Sequence, residues 1–342
     1  MANERRYQLQ SEEANRQIEA LLKSVGSEGN GYYAQMLTSV LKMAEDSASI
    51  GDLKIANSAL KDLRYAFKVF SAYRGIPKVT IFGSARSTPD DPISVQARSF
   101  TRRLVEAGWM VITGAGPGVM GAAQEGAGRE QSFGLNIRLP WEQEANPWIA
   151  DDPKLINFKF FFIRKLFLVK EADAIAFFPG GFGTMDEVFE VLTLVQTGKT
   201  PLVPVVVVDV PGGDYWRRWE QMVRENLVKR DLISAEDLHL FCVTDNVEDA
   251  VQEALDFYRC YHSMRFVGDQ LVIRLKREIS PEVFQAIGRE FSDILTAKCS
   301  MVKGPLQAEW EEEPTLWRLV LPFDRMHYGR LRQLINFINR SA

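Results

Sequence analysis

Residues 174–187 read A-I-A-F-F-P-G-G-F-G-T-M-D-E, and this stretch decides the fold class of the chain. Its first five residues are apolar, as in a buried strand, and Val188, Val191, Leu192 and Val195 then recur at helical spacing. The glycines between them form a turn whose backbone can approach a ligand, with free N–H groups of the first helical turn facing it. Such a turn favours an anion, most often a phosphate.

Two acidic residues stand in the first turn of this predicted helix, Asp186 and Glu187. A phosphate site does not call for them, because they would repel the ligand. Acidic residues are also common at helix starts, where they complement the helix dipole. Taken alone, Glu187 therefore has an ordinary structural explanation, and a functional one depends on the rest of the chain.

Length and composition restrict the possible classes of protein. The 342 residues exceed what one compact core needs, so a central domain with additions is expected. The chain is 46% hydrophobic and 25% charged, which is typical of soluble globular proteins. A net charge of −4 disfavours binding to a nucleic acid polymer. Because there is neither an apolar leader nor a membrane-spanning run, we expect a cytoplasmic protein without membrane contacts.

Cysteine and histidine are few and scattered. They are Cys242, Cys260, Cys299, His239, His262 and His327. This pattern indicates neither a disulfide framework nor a metal centre. Any catalysis is therefore expected to depend on carboxylates, arginines and backbone groups, with no metal and no cofactor.

The order of strand-like and helix-like segments predicts three regions. Residues 1–75 are helical in pattern, residues 76–262 alternate strands with helices, and residues 263–342 form a small α+β domain. The central strands are expected at 78–82, 109–113, 132–139, 174–178 and 202–208. Such alternation predicts an α/β, Rossmann-like parallel sheet with helices on both faces, and ligands bind such sheets at the carboxyl ends of the strands.

The C-terminal region has a strand at 270–275, a helix at 281–295, strands near Met301 and at 317–321, and a last helix at 328–339. This β-α-β-β-α order resembles a ferredoxin-like domain. Binding of a regulator and stabilisation of a dimer are equally open roles for it. An acidic run within it is expected to be a solvated turn. The run consists of Glu309, Glu311, Glu312 and Glu313.

Two further glycine-rich turns precede the one at Gly180. The first begins at Gly83 and Ser84, and the second contains Gly114, Gly116 and Gly118. The second reads G-x-G-x-G after the second strand, so it is not the dinucleotide fingerprint. Phosphate binding by its backbone and a purely structural turn remain open. Because the three turns should gather at one edge of the sheet, a nucleotide pocket is the favoured interpretation.

Residues 158–169 read F-K-F-F-F-I-R-K-L-F-L-V and predict a helix that is buried on nearly every side. Arg164 and Lys165 interrupt it. A buried guanidinium needs a carboxylate or an anionic ligand, although an arginine can also extend to water. Since this helix precedes the strand that leads to the Gly180 turn, Arg164 and Glu187 could face one pocket.

The pair Arg164-Lys165, followed by P-G-G-F-G-T-M-D-E at 179–187, resembles the R-K … P-G-G-x-G-T-x-x-E signature of the LOG family. These are cytokinin riboside 5′-monophosphate phosphoribohydrolases, formerly labelled lysine decarboxylase-like. The similarity extends over residues 78–261 and includes residues 139–143 and 192–197.

The resemblance implies a Rossmann-like homodimer, or a multiple of it, that hydrolyses the N-glycosidic bond of AMP or a cytokinin riboside 5′-monophosphate. The products would be free base and ribose 5-phosphate. By this likeness Arg164 and Glu187 are the catalytic pair. With the first turn included, the expected substrate-binding residues are Gly83, Ser84, Gly114, Gly116, Gly118, Lys165, Gly180, Gly181, Gly183, Thr184, Asp186 and Thr193.

The residue types agree with this chemistry. A carboxylate such as Glu187 can stabilise a ribosyl cation or activate the attacking water. Arg164 stays protonated at neutral pH, so it serves as a hydrogen-bond donor and positive anchor. A decarboxylase has less support, because pyridoxal phosphate needs a Schiff-base lysine and an acidic partner for its ring nitrogen.

Two alternatives from other classes stay open at this point. One is a non-catalytic nucleotide- or cofactor-binding carrier protein of the same fold, which the retained pair Arg164 and Glu187 disfavours. The other is binding of single-stranded DNA, which the acidic balance of the chain disfavours.

Overall fold

A computed structural model of the chain describes residues 8–27, 31–138, 144–307, 309 and 313–341. The chain forms two compact units, residues 1–65 and residues 66–342. In the first unit, α1 (Glu12–Ser24) and α2 (Gly31–Glu45) pack against each other and α3 (Ile50–Ser71) begins. Ser11 caps α1 by accepting a hydrogen bond from the Ala14 N–H. The predicted helical N-terminal segment is confirmed.

The second unit contains the predicted parallel sheet. Its strands are β1 (Lys78–Phe82), β2 (Met110–Thr113), β3 (Ser132–Ile137), β4 (Leu155–Phe158), β5 (Ala174–Phe177), β6 (Val205–Val208) and β7 (Cys242–Thr244). They lie in the order β4-β3-β2-β1-β5-β6-β7, and every neighbouring pair is parallel. The Rossmann-like architecture is therefore confirmed.

The sequence did not reveal the two edge strands, β4 and β7. Both are short, and both bury only part of their side chains. An edge strand contacts one neighbour only, so it does not need the continuous apolar run that marks the inner strands.

Helices cover both faces of this sheet. They are α4 (Pro92–Glu106), α5 (Val119–Ala127), α6 (Phe161–Lys170), α7 (Phe182–Gln196), α8 (Tyr215–Asn226) and α9 (Val247–Asp256). On one face, Phe100 and Val251 pack with Val79 and Val111 of the strands. On the other, the Thr80 hydroxyl donates to the Leu168 carbonyl of α6 at 2.7 Å.

The helix α6 differs from the expectation of burial on nearly every side. Ile163, Phe167 and Leu168 are buried, but its other face carries the exposed side chains Phe161 and Phe162. The sheet and the rings of Phe67 and Phe70 in α3 cover the side of the helix that carries Phe167, whereas Phe161 and Phe162 are more than half exposed. The apolar composition alone could not distinguish these two faces.

The strand order has a switch point between β1 and β5. From β1 the chain proceeds to β2, β3 and β4 on one side, and it then returns to place β5 on the other side of β1. The connections after β1 and β5 leave in opposite directions, which opens a crevice at the carboxyl ends of these two strands. This crevice is where the fold favours a ligand.

The small C-terminal domain contains β8 (Tyr261–Val267), β9 (Gln270–Leu275), α10 (Pro281–Glu290), β10 (Ser300–Lys303), β11 (Trp317–Leu321) and α11 (Tyr328–Ser341). Its sheet is antiparallel, in the order β10-β11-β9-β8. The predicted α+β domain is confirmed, with one strand more than expected. The added strand β8 precedes the others in sequence and takes the edge position that the last strand holds in a ferredoxin-like order.

The prediction that Glu309 lies in a solvated turn is wrong. Its carboxylate is fully buried and pairs with Arg274 at 2.8 Å and with Arg318 at 3.1 Å. A charge pattern does not show that two arginines on neighbouring strands point inward to meet it. Glu313 is exposed as expected, whereas Glu311 and Glu312 lie outside the described residues.

The C-terminal domain also contacts the far end of α7. The ring of Tyr328, at the start of α11, lies against Gly198, where an added Cβ would overlap it. Just before this point Gln196 donates to the Asp237 carboxylate at 2.6 Å. Among the described residues, no helix is long and apolar enough to cross a membrane.

The close packing of α4 and α5 can be tested at a glycine of α5, with a glycine of another helix as the control. A Cβ on Gly126 of α5 would overlap the carbonyl of Arg98 in α4, whereas a Cβ on Gly288 of α10 meets nothing within 4 Å. We expect Gly126→Ala to destabilise the protein by about 1–3 kcal/mol through overpacking. Gly288→Ala, the matched control, should stabilise it by about 0.5–1 kcal/mol. Urea unfolding measures both, and equal effects would contradict the described packing.

Candidate active site

A cavity of about 890 Å³ opens at the carboxyl ends of β1 and β5. Its walls include the turn from Gly83 to Arg86, the turn from Gly180 to Glu187, and the first half of α6. The backbone of Ser84 joins the glycine turns, since its N–H donates to Pro179 at 3.1 Å and its carbonyl accepts from Val119 at 2.9 Å. The three turns therefore lie together at the switch point.

The turn after β5 presents the start of α7 to the cavity. Gly181 is the N-cap residue and provides no side-chain cap, and its carbonyl accepts from the N–H groups of Thr184 and Met185. The preceding N–H groups, of Phe182 and Gly183, have no acceptor within the helix. A Cβ on Gly181 or Gly183 would meet no atom within 4 Å. These two glycines border open space, and the helix start offers free donors to an anion there.

The guanidinium of Arg164 lies against a glycine of the second turn. Its Nε donates to the carbonyl of Leu135 in β3 at 2.7 Å, and an added Cβ on Gly114 would overlap its Nη2. The glycine at 114 thus makes room for the arginine. Burial lowers the pKa of Arg164, and the nearby Glu187 carboxylate opposes that change. The group still remains charged at neutral pH, because its ordinary pKa is so high.

The carboxylate of Glu187 is buried at the base of the cavity. Its Oε2 has no hydrogen-bond partner among the described residues. Burial raises its pKa to about 7, and Glu190 and Asp186 act in the same direction, while Lys165 and Arg164 oppose the rise. A carboxylate with a pKa near neutrality and one free oxygen can accept a proton at the pH of a cell.

Lys165 is held by acidic neighbours. Its Nζ lies 2.7 Å from Asp186 Oδ2, 2.6 Å from Glu190 Oε2 and 3.9 Å from Glu187 Oε1. Burial lowers the pKa of Lys165, but the hydrogen bonds to Asp186 and Glu190 outweigh it, so the pKa is raised overall. The ammonium is therefore charged in the folded protein.

Most of the residues predicted from the sequence line this one cavity. They are Arg164, Glu187, Gly83, Ser84, Gly114, Lys165, Gly180, Gly181, Gly183, Thr184 and Asp186. Their individual roles stay predictions.

Three predicted residues do not line the cavity. Gly118 has φ +67°, and an added Cβ would overlap the Ser84 carbonyl, so its absence of a side chain serves the packing of two turns. The Gly116 carbonyl accepts from the Asn146 amide at 3.0 Å. Thr193 is exposed on α7. Residues 139–143, part of the family resemblance, lie outside the described residues.

The structure adds cavity residues that the sequence reasoning missed. The Tyr215 hydroxyl, from α8, donates to the Gly180 carbonyl at 2.5 Å. Arg86 and Phe161 line the cavity, and Phe182 at its rim is 97% exposed. Arg86 could have been found, since it is a basic residue in the turn after β1. Tyr215 could not, because 35 residues separate it from Gly180.

The comparison with known proteins concerns the same part of the chain. Residues 120–254 match the family model described as "Possible lysine decarboxylase", the older label of the LOG family. The matched residues lie within the region whose motifs resemble the LOG family. The resemblance stated from the motifs is thereby confirmed, while no curated protein matches the chain.

Several solved structures are similar in part. The X-ray structure of TM1055 shares 24% identity at a TM-score of 0.37, over 52% of this chain and 96% of that one. A molybdenum cofactor binding protein from Rippkaea orientalis shares 18% identity at a TM-score of 0.38, over 52% of this chain and 95% of that one. DNA processing protein A from Helicobacter pylori shares 16% identity at a TM-score of 0.36, over 53% of this chain and 80% of that one. Likenesses of this size carry no conclusion about function.

The raised pKa of Glu187 predicts a pH-dependent stability. Its value in the folded protein is about 7, against an ordinary 4.5, so its contribution to stability is fully present below about pH 4.5 and is lost as the pH rises through 7. Glutamine cannot ionise. We expect Glu187→Gln to become more stable than the wild type as the pH rises from 5 to 8, by up to about 3 kcal/mol.

Urea unfolding at four pH values between 5 and 8 measures this difference. Glu225→Gln is the control, because Glu225 lies in an exposed ion pair with Lys229 and loses the same charge at the surface. A stability difference between Glu187→Gln and wild type that stays constant over this range would contradict the assigned burial.

Proposed function

We propose that this protein hydrolyses the N-glycosidic bond of nucleoside 5′-monophosphates, either AMP or a cytokinin riboside 5′-monophosphate. The single observation that supports it most is the buried Glu187 carboxylate, which has one unpaired oxygen and a pKa near 7, in the cavity that also holds the Arg164 guanidinium. The family-model match and the cavity at the switch point agree with this proposal.

The reaction follows from these groups. Glu187 accepts a proton from a water molecule as the water oxygen attacks C1′ of the ribose. The C1′–N bond breaks, its electron pair leaves with the base, and the base takes up a proton. Positive charge develops on the ribose in the transition state, and the carboxylate stabilises it. Arg164 stays protonated throughout, so it acts as a donor and anchor and takes no part in the proton transfer.

The phosphate is held at the glycine turns. The free N–H groups at the start of α7 face an anion favourably, and Thr184 stands beside them. Arg86 lies on the facing turn, is exposed, and has no side-chain partner within the described part of the chain. A guanidinium is well suited to a phosphate, because its donors match two phosphate oxygens at once.

Incubation with AMP and with isopentenyl-AMP tests the activity. We expect chromatography to show free base and ribose 5-phosphate in equal amounts. Glu187→Gln should lower kcat by about 100-fold or more, because general base catalysis contributes about that much. Absence of base from any monophosphate, by a folded protein, would refute the proposal. Tight nucleotide binding by calorimetry without turnover would instead indicate a non-catalytic carrier.

The assignment of Arg86 has its own test. We expect Arg86→Ala to raise KM for AMP by about 10-fold or more, the value of one lost hydrogen bond to a charged group. Hydrolysis of adenosine, which lacks the phosphate, should not change. Arg102→Ala is the matched control, because Arg102 is an exposed arginine of α4 outside the cavity wall. Equal losses on AMP and adenosine would show that Arg86 does not bind the phosphate.

We also propose that the protein is a homodimer or a higher homo-oligomer, as the family resemblance implies. The exposed Phe161, Phe162 and Leu166 of α6 support this, since they form an apolar surface beside the cavity. Light scattering of the purified protein measures the oligomeric state. A cytoplasmic location stays a prediction.

A further inference from the structure

Lys165 and three acidic residues of α7 form a cluster, in which the family resemblance implies contacts with the substrate for Lys165 and Asp186. Lys165 lies on α6, whereas Asp186, Glu187 and Glu190 lie within five residues of one another on α7. Residues three and four apart lie on the same side of a helix, so all three carboxylates can face the lysine. The two shortest contacts are those of the ammonium with Glu190 at 2.6 Å and with Asp186 at 2.7 Å.

We propose that Glu190, together with Asp186, is a positioning residue that holds the Lys165 ammonium beside Glu187, so that Lys165 acts on the catalytic carboxylate and not on the substrate phosphate. This inference deepens the proposed function and rests on it for its kinetic test. It changes the role of Lys165 from that of a substrate contact.

The number of donors on the ammonium is the first argument. A lysine has three N–H donors, and Asp186 and Glu190 engage two of them. The next carboxylate oxygen in reach is Glu187 Oε1, at 3.9 Å. That distance is too long for a hydrogen bond but short for a charge interaction. The lysine therefore influences Glu187 through its charge, while Oε2 of that carboxylate has no hydrogen-bond partner among the described residues.

The local charge is the second argument. Three carboxylates surround one ammonium, so the cluster is negative when all of them are ionised. A phosphate dianion close to this cluster would be repelled. Arg86, on the facing turn of the cavity, has no ion pair with a carboxylate among the described residues. The phosphate is therefore better placed there than at Lys165.

Exposure distinguishes the two residues that hold the lysine. The side chain of Glu190 is 32% exposed, while that of Asp186 is 63% exposed, and Lys165 itself is 17% exposed. Water weakens an ion pair at the surface more than a sheltered one. Glu190 is thus the stronger of the two contacts, although it lies outside the nine-residue motif at 179–187.

Four charged groups act on Glu187, and they act in opposite directions. Lys165 and Arg164 favour its ionised form, whereas Glu190 and Asp186 disfavour it. Replacing Lys165 by methionine keeps the length of the side chain and removes its charge. Replacing Glu190 by glutamine keeps an acceptor for the lysine and removes the repulsion. The two variants should therefore shift the titration of Glu187 in opposite directions.

The experiment measures the titration of Glu187 directly, by NMR of protein with ¹³C-labelled glutamate side chains. The signal of Glu187 is the one that disappears in Glu187→Gln. We expect a midpoint near pH 7 in the wild type, a midpoint about one pH unit higher in Lys165→Met, and a lower midpoint in Glu190→Gln. Lys165→Arg should restore a midpoint near that of the wild type, because it keeps the positive charge.

Lys229→Met is the matched control, because Lys229 is also paired with a glutamate one turn away, on an exposed surface. It should not move the Glu187 signal. An unchanged midpoint in Lys165→Met would overturn the proposal, and an unchanged midpoint in Glu190→Gln would overturn the role of Glu190. If Lys165→Met does not fold, Lys165→Gln takes its place, since it also removes the charge, and an unchanged midpoint in it would overturn the proposal.

Kinetics gives a second, independent measurement. The acid limb of the kcat/KM profile should shift with the NMR midpoint, and to the same extent on AMP and on adenosine. A rise in KM for AMP alone, without a shift of the midpoint, would show that Lys165 binds the phosphate and would overturn the proposal. Because the NMR titration needs no turnover, a protein without glycosidase activity would refute the proposed function and still test this inference.

Discussion

The burial of the Glu187 carboxylate is the constraint on which the rest of the site depends. An ionised carboxyl group without full hydrogen bonding is unfavourable in a protein interior, and it persists only where positive charge lies close by. Here Arg164 and Lys165 of α6 supply that charge. Each of them needs support of its own, from the Leu135 carbonyl in one case and from Asp186 and Glu190 in the other. The buried Glu187 carboxylate thus explains a series of contacts that begins at Leu135 in β3 and ends at Glu190 in α7.

The inner part of the fold could be predicted because its physical requirements are visible in the sequence. Strands covered on both faces are mostly apolar, and β1, β2, β3, β5 and β6 are buried along their whole length. Strands at an edge have no such requirement, which is why β4, β7 and β8 were missed. Glu309 was misjudged for another reason: its partners Arg274 and Arg318 lie on strands β9 and β11, and only the fold brings their side chains into contact with it.

The motif predicted most of the residues that line the cavity, but it did not show why each glycine is needed at its position. A glycine that leaves room for a ligand and one that leaves room for the protein itself look the same in a sequence. The structure separates them: Gly181 and Gly183 border open space, whereas Gly114 faces Arg164 and Gly118 faces Ser84. Tyr215 was beyond prediction because its contact with Gly180 depends on how two distant segments meet.

The contact between Tyr328 and Gly198 gives α7 a second significance. The helix begins at the cavity with Phe182 and ends at Gln196, two residues before the point where the C-terminal domain rests on it. Its 15 residues span about 22 Å at the rise of an α-helix. A helix of this length connects the cavity to the C-terminal domain. Glu187, in the second turn of α7, and the C-terminal domain, beyond the last turn of α7, are therefore joined through a single helix.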